Sequence, residues 1–436
     1  MIGGRLGNHA YVVGASAGLL LAQQLALMRE TTAEEGTLRR DLDLRFVSVV
    51  LRHGARAPLS ENFGAHDHKW EYCGQAYHAV KTNIRGLDNT DRPVSQSDER
   101  QTKVVFEGGC KKGQLTSVGQ LQALQLGDWL RERYVSNGFL PPSYNASALE
   151  VRSTNISRTL DTVTGVLTGL YPDAEDPIMI ETCDDRREWL YPNHRNCKRL
   201  SQLMAQKRVT LEESRMAGSH AALEEKLKTA LEVPASERHI RFVEAYDVCK
   251  TVLFHSARHH MKMDDGLLRE LELVATKQMK AFVAPEDNAE MLSLSIGKVL
   301  QDLLQGMERA ASGEAESAKT KMKLFSGHDT TLMPLLVALG HELRDWPPFM
   351  SNLIFELYWS ERDGKHYVKI DYNKEVLRVE GCDRDGYLEL GQLNDRLRPF
   401  MLQDYSSQCS AVEAATKEHH GSVSKKLAAG VSNGVE

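Results

Sequence analysis

The apolar positions of this chain fall into two alternating kinds of run. Short continuous β-branched and aliphatic stretches are each followed by a longer stretch with helical spacing, which predicts a parallel sheet with crossover helices. Phe46–Leu51, "FVSVVL", predicts a buried strand. Thr116, a good N-cap, opens a helix carrying Val118, Leu121, Leu124 and Leu126 and ending in the amphipathic stretch Trp129–Tyr134. Leu149–Arg152 predicts a second strand. Behind it Ile156, Leu160, Val163, Leu167 and Leu170 step by 4, 3, 4 and 3, which is a helix facing a core and stopping near Pro172.

From about Cys197 to Leu304 the pattern changes to long, charged, helix-favouring runs such as "HAALEEKLKTALE", with few strand signals. The strand pattern returns at Met322–Phe325, followed by a helix over Thr330–Leu339. Leu353–Trp359 and His366–Tyr372 predict a closing hairpin across the turn-forming "ERDGK". The expected architecture is therefore α/β, with a mostly parallel central sheet, helices on both faces and an inserted helical cap. The core is discontinuous, over residues 41–196 and 305–405, with the mainly helical insertion at 197–304. Residues 1–40 are expected to be a targeting or anchor segment. From about Ser406 to 436 the chain is small, polar and aperiodic, and is expected to be a disordered tail.

With 436 residues, 41% hydrophobic and 26% charged, the composition is that of a soluble globular enzyme. The balance of 54 Lys and Arg against 60 Asp and Glu gives a formal net charge of −6. There is no global basic field for nucleic acid, so any anion site has to be local. Ala10–Met28 carries no charge, and the first acidic residue is Glu30. A cleaved secretory signal, a membrane anchor and an organelle presequence all fit that stretch, although Gln23 and Gln24 interrupt it, and a plain N-terminal helix is the remaining alternative. Seven cysteines, Cys73, Cys110, Cys183, Cys197, Cys249, Cys382 and Cys409, include no CxxC pair, and their odd number predicts at least one free thiol. Asn145-Ala146-Ser147 and Asn155-Ile156-Ser157 match the glycosylation acceptor pattern.

The chemistry gathers at three strand ends. The first delivers Arg52, His53 and Arg56 in "RHGARAP". The second delivers "RSTNISR", whose Arg158 falls in the first turns of the following helix, and the third delivers His328 and Asp329 in "SGHDTT". In an open parallel sheet, ligands bind outside the carboxyl ends of the strands. Arginine forks suit phosphate oxygens, and their repulsion keeps a neighbouring imidazole neutral and nucleophilic. A carboxyl at Asp329 is placed to protonate a poor leaving group. A lone histidine or arginine in such a loop is ordinarily structural; it is the joint occurrence that reverses the expectation. "HDH" at His66–His68 and the stretch His255–Asp265 lack recognisable metal-ligand spacing, and no P-loop, GxGxxG or GxSxG is present. No metal and no cofactor is expected.

"RHGARAP" resembles the RHGxRxP signature of the histidine acid phosphatases, branch 2 of the histidine phosphatase superfamily, and "SGHDTT" resembles their His-Asp pair. The resemblance covers roughly Leu44 to Met401. Through "GQLTSVG", "VRSTNISRTL", "LYPNHRNC" and "WPPFMSNLIFELYW" it leans toward the lysophosphatidic acid phosphatases of that family. It implies a phosphoglycerate mutase-like fold, His53 as nucleophile, a phosphate held by Arg52, Arg56, Arg158 and His328, and Asp329 as proton donor. Mutases usually carry glutamate after RHG; here the residue is Ala55, which counts against a mutase.

The substrate so implied is a phosphomonoester, specifically a lysophospholipid, lysophosphatidic acid, cleaved to monoacylglycerol and phosphate. Its specificity would reside in the helical cap and the Trp70–Cys110 loop. A sugar- or inositol-phosphate phosphatase is the alternative enzyme, and a phosphate-binding module without catalysis is the alternative class. The resemblance also implies a mitochondrial location; the secretory pathway or membrane association through the N-terminus remain the alternatives. The predicted optimum is acidic.

Overall fold

The structure is a computed structural model in which residues 42–65, 68–74, 80–233, 239–255, 262–313 and 319–410 are described. The leading segment 1–40 and residues 411–436 lie outside them. Among the described residues, no helix is long and apolar enough to cross a membrane.

Strands β1 (Leu42–Arg52), β2 (Thr82–Gly86), β3 (Leu149–Ser153), β4 (Ile178–Thr182), β5 (Met322–Gly327), β6 (Asn352–Ser360), β7 (Lys365–Tyr372), β8 (Glu375–Val376) and β9 (Tyr387–Glu389) make one nine-stranded sheet. Its order is β2-β4-β3-β5-β1-β6-β7-β8, with β9 beside β7. The half from β2 to β1 is parallel and the remainder antiparallel, so the sheet is mixed.

β1 sits at the centre and shows why its sequence is continuously apolar. Phe46 and Val50 join a core on one face, while Val47, Val49 and Leu51 join a second core on the other. Helices α1 (Gln96–Gln101), α2 (Ser117–Leu130) and α3 (Ser157–Leu170) precede β4, and α2 and α3 cover the second core. Thr116 caps α2 by accepting the Gly119 N–H at 3.3 Å, as its sequence context predicts. Beyond Leu130 the helix widens into a π-helical turn, Arg131–Val135, where a continuing amphipathic end was expected.

Between β4 and β5 the described chain is helical: α4 (Lys198–Met216), α5 (Ala221–Ala230), α6 (Phe242–Phe254), α7 (Asp265–Val283) and α8 (Ala289–Ser312). Residues of α6, α7 and α8 share the first core with β1 and β5, so this stretch is packed onto the sheet. After β5 comes α9 (Asp329–Ala338), and after β9 come α10 (Leu390–Leu397) and α11 (Tyr405–Ser410).

The expected tail needs correction at its start. Tyr405–Ser410 is helical, and its Cys409 is disulfide-bonded to Cys197 at the head of α4. A second disulfide joins Cys73 and Cys110, and Cys183, Cys249 and Cys382 are free thiols. The aperiodic sequence concealed an element fixed by a covalent bond and by a small apolar contact in which, of its residues, only Cys409 and Tyr405 take part. Of the two glycosylation patterns, Asn145 is exposed, whereas Asn155 is buried, with its amide donating to the Pro93 carbonyl at 2.8 Å.

The turn after β1 depends on a backbone-to-backbone contact. A Cβ on Gly54 would stand 2.5 Å from the Gly119 carbonyl oxygen, and one on Gly119 would stand 2.1 Å from that of Ala55. The turn is further tied by the Gly54 N–H to Thr162 Oγ1 at 3.1 Å and the Ala55 N–H to Gln122 Oε1 at 2.9 Å. Gly54→Ala is therefore expected to destabilise the protein by about 1–3 kcal/mol, since neither backbone can yield without moving β1 or α2. Urea unfolding of the variant checks this, and unchanged stability would show that the contact relaxes freely.

Candidate active site

Three adjacent parallel strands, β3, β5 and β1, end side by side, and each contributes to one buried cluster. Arg52 ends β1, and His53 and Arg56 follow in its turn. Arg158 lies in the first turn of α3 after β3, and His328 is the N-cap of α9 after β5, with Asp329 next to it. Arg52, His53, Arg56, Arg158 and His328 are all buried. The structure thus brings together all six residues singled out in the sequence.

Local capping explains two of these placements. Asp98 on α1 accepts from the Ser157 N–H at 3.0 Å and from the Ser157 hydroxyl at 2.7 Å, which anchors the N-terminus of α3. Gln101 at the end of α1 then receives Arg158 Nη1 at 2.9 Å. At α9 the His328 N–H donates to Thr331 Oγ1 at 3.0 Å, which fixes the turn that presents both His328 and Asp329. Arg152, the other arginine of "RSTNISR", turns away from the cluster and pairs with Glu188 at 2.8 Å.

The imidazoles are neutral by construction. Burial, then Arg158, Arg52, Arg56 and His328, hold His53 well below the usual histidine range; burial and the same three arginines do so for His328. His53 Nδ1 lies 2.9 Å from the Gly54 carbonyl, which can only accept, so Nδ1 carries the proton and the lone pair is on Nε2. His328 Nε2 is 3.1 Å from Thr154 Oγ1, and the two histidine rings stand 5.5 Å apart, edge to face.

Asp329 is the opposite case. Burial alone would raise its pKa. Arg52, whose Nη2 is 2.9 Å from Oδ2, the Trp346 indole N–H at 2.8 Å, Arg56 and the Thr330 N–H together outweigh it and hold the carboxyl below its ordinary value. Arg52 also donates to the Pro347 carbonyl and stacks over Phe349, 4.4 Å from the ring centroid. Arg56 pairs with Asp247 of α6 at 2.6 Å.

Asp247, Gln101, Thr154, Trp346 and Phe349 were not singled out in the sequence. Trp346 and Phe349 belong to "WPPFM", a stretch visible as a motif without a role. Nothing local marks Asp247 among the many acidic residues of a helical segment.

Three cations facing two carboxylates and two neutral imidazoles make a site suited to an anion, with one nucleophilic nitrogen beside it. Among the described residues, no three His, Cys, Asp or Glu side chains are grouped so as to hold a metal ion. Of the two sequence stretches weighed as metal clusters, residues 66–67 and 256–261 lie outside the described residues; His255 is bonded to Thr116 Oγ1 at 2.9 Å and to the Thr251 carbonyl at 2.8 Å.

Comparison with known proteins gives the same outline. The family model described as histidine phosphatase superfamily (branch 2) matches residues 43–373. The human protein named lysophosphatidic acid phosphatase type 6 is 30% identical over 402 residues, covering 89% of this chain and 91% of its own. Bovine prostatic acid phosphatase is 25% identical, with 95% and 98% covered. Among solved structures, Hafnia alvei phytase superposes with a TM-score of 0.56 at 16% identity, covering 86% of this chain and 99% of that one. The last likeness is one of fold.

The neutral imidazoles set a pH dependence of stability. A histidine whose folded pKa is lowered binds its proton more readily in the unfolded chain, whose ordinary value is 6.5. Stability is therefore full above that value and falls as the pH drops below it. Urea unfolding of the wild type against His328→Gln between pH 8 and 5 should show a shallower decline in the variant. Parallel curves would contradict the buried neutral state of His328.

Proposed function

Since the chain belongs to branch 2 of the histidine phosphatase superfamily and is a histidine acid phosphatase acting on phosphomonoesters, we propose that His53 is its nucleophile and lysophosphatidic acid its substrate. The observation that carries the first part is the His53 Nδ1 contact with the Gly54 carbonyl, which leaves Nε2 unprotonated among three arginines. Arg52, Arg56, Arg158 and His328 take the phosphoryl oxygens and stabilise their charge as it redistributes. The Nε–H groups of Arg52 and Arg56 are buried with no partner among the described residues, so each has a hydrogen bond still to give.

In the first step, Nε2 of His53 attacks phosphorus as the bond to the ester oxygen breaks, and Asp329 passes its proton to that oxygen. In the second, the Asp329 carboxylate takes a proton from water while the water oxygen attacks phosphorus and the N–P bond breaks. Asp329 starts the cycle ionised against Arg52. A bound phosphate draws on the same guanidinium and adds negative charge nearby, which raises the Asp329 pKa toward the protonated form that the first step needs. Low pH assists this, and His53 remains neutral well below the usual histidine range, so both requirements are met on the acid side.

The lipid part of the reading is supported by relatives bearing the name lysophosphatidic acid phosphatase type 6 in human and mouse, each 30% identical over more than four-fifths of this chain. Turnover of lysophosphatidic acid beside inositol and sugar phosphates tests it.

Asp329→Asn separates the two halves of the chemistry. It should lower kcat on lysophosphatidic acid or glycerol phosphate by roughly 10²–10⁴-fold, the usual contribution of a general acid. On p-nitrophenyl phosphate, whose leaving group departs as an anion, the loss should be far smaller. Equal losses on both would make Asp329 a partner of Arg52 only.

A further inference from the structure

Asp247 reaches the site from α6, within the helical stretch between β4 and β5. It meets Arg56 end-on. Oδ1 lies 2.6 Å from Nη2 and Oδ2 lies 3.3 Å from Nη1, and Oδ2 also accepts the Leu59 N–H at 3.3 Å. One turn earlier on α6, Glu244 accepts from the Ser60 hydroxyl and, at 2.8 Å, from the Asn62 amide. Two carboxylates of one helix thus hold the whole turn that carries Arg56.

An end-on carboxylate occupies the Nη1–Nη2 edge of a guanidinium. Arg56 Nη1 is further engaged by the Ala57 carbonyl at 3.2 Å, whereas Nε is buried with no partner among the described residues. The edge of Arg56 that protein oxygens leave least satisfied is therefore the one formed by Nε and Nη2. We propose that Asp247 is a positioning and specificity residue: it aims that edge of Arg56 at the phosphoryl group, and its own charge turns away substrates carrying a second anionic group beside the phosphate.

The inference rests on Arg56 being a phosphate ligand. A phosphate on the Nε–Nη2 edge and Asp247 on the other would share one cation, while Arg52 would be shared in the same way with Asp329. A further negative group on the substrate meets a carboxylate already drawing on the available positive charge, in surroundings that screen poorly. A phosphomonoester whose remainder is uncharged meets no such repulsion.

Glycerol 3-phosphate and 3-phosphoglycerate differ by one carboxylate and carry no acyl chain, so they probe this filter independently of the lipid reading. Wild type should favour glycerol 3-phosphate in kcat/KM by on the order of tenfold or more. Asp247→Asn should narrow that preference several-fold and lower kcat on both substrates; Asp247→Glu should restore the preference and part of kcat. Equal kcat/KM for the two in wild type overturns the filter without any variant, and an unchanged ratio in Asp247→Asn also overturns it. Near-normal turnover of glycerol 3-phosphate by Arg56→Ala would instead remove the premise that Arg56 holds phosphate.

Discussion

Three guanidiniums buried at neighbouring strand ends repel one another, and the surrounding structure is arranged to make that tolerable. Unpaired buried charge costs several kcal/mol per ion, so each arginine needs a partner. Arg52 has Asp329 and the face of Phe349, Arg56 has Asp247, and Arg158 has Gln101. The same field denies a proton to His53 and His328. On the proposed reading, His53 as nucleophile, Asp329 as acid and the arginines as anion cradle are consequences of one electrostatic condition, and a phosphate would complete what the carboxylates only partly offset.

That condition requires the strand ends to align to within a residue. The pairing of Arg52 with Gly327, and of Ser153 with Ser326, supplies the alignment, and the Gly54–Gly119 contact fixes the turn beyond β1. The helical stretch between β4 and β5 contributes as well as covers. Through Asp247 and Glu244 it grips the turn that holds Arg56, and through Tyr246 it touches Trp346, the indole that donates to Asp329. Packing of this stretch and the geometry of the arginine cluster are therefore linked by direct contacts.

Much of this was legible along the chain because the central strands are buried on both faces and their helices are strongly periodic. Phe46–Leu51, Leu149–Arg152 and Met322–Phe325 all lie within observed strands, and the hairpin after Leu353 closes as its turn predicts. β2 was missed because "TNIRG" has a single apolar residue, Ile84, and β4 because five residues alternating inward and outward carry little signal. The six charged and imidazole residues were legible because they cluster in sequence at strand ends. Asp247 and Gln101 were not: each acts through a partner far along the chain, and only the packing of α6 and α1 onto the turn reveals it. Cys409 was hidden for the same reason, since its partner lies 212 residues away.

The central claim is that a phosphoryl group passes through Nε2 of His53. Rapid mixing with a phosphorus-labelled phosphomonoester, quenched under alkaline denaturing conditions that preserve phosphohistidine, followed by peptide mapping, tests it most directly. The label is expected on the peptide containing His53, to disappear on acidification and to be absent in His53→Ala. Label recovered on any other residue, or its survival in His53→Ala, would contradict the account.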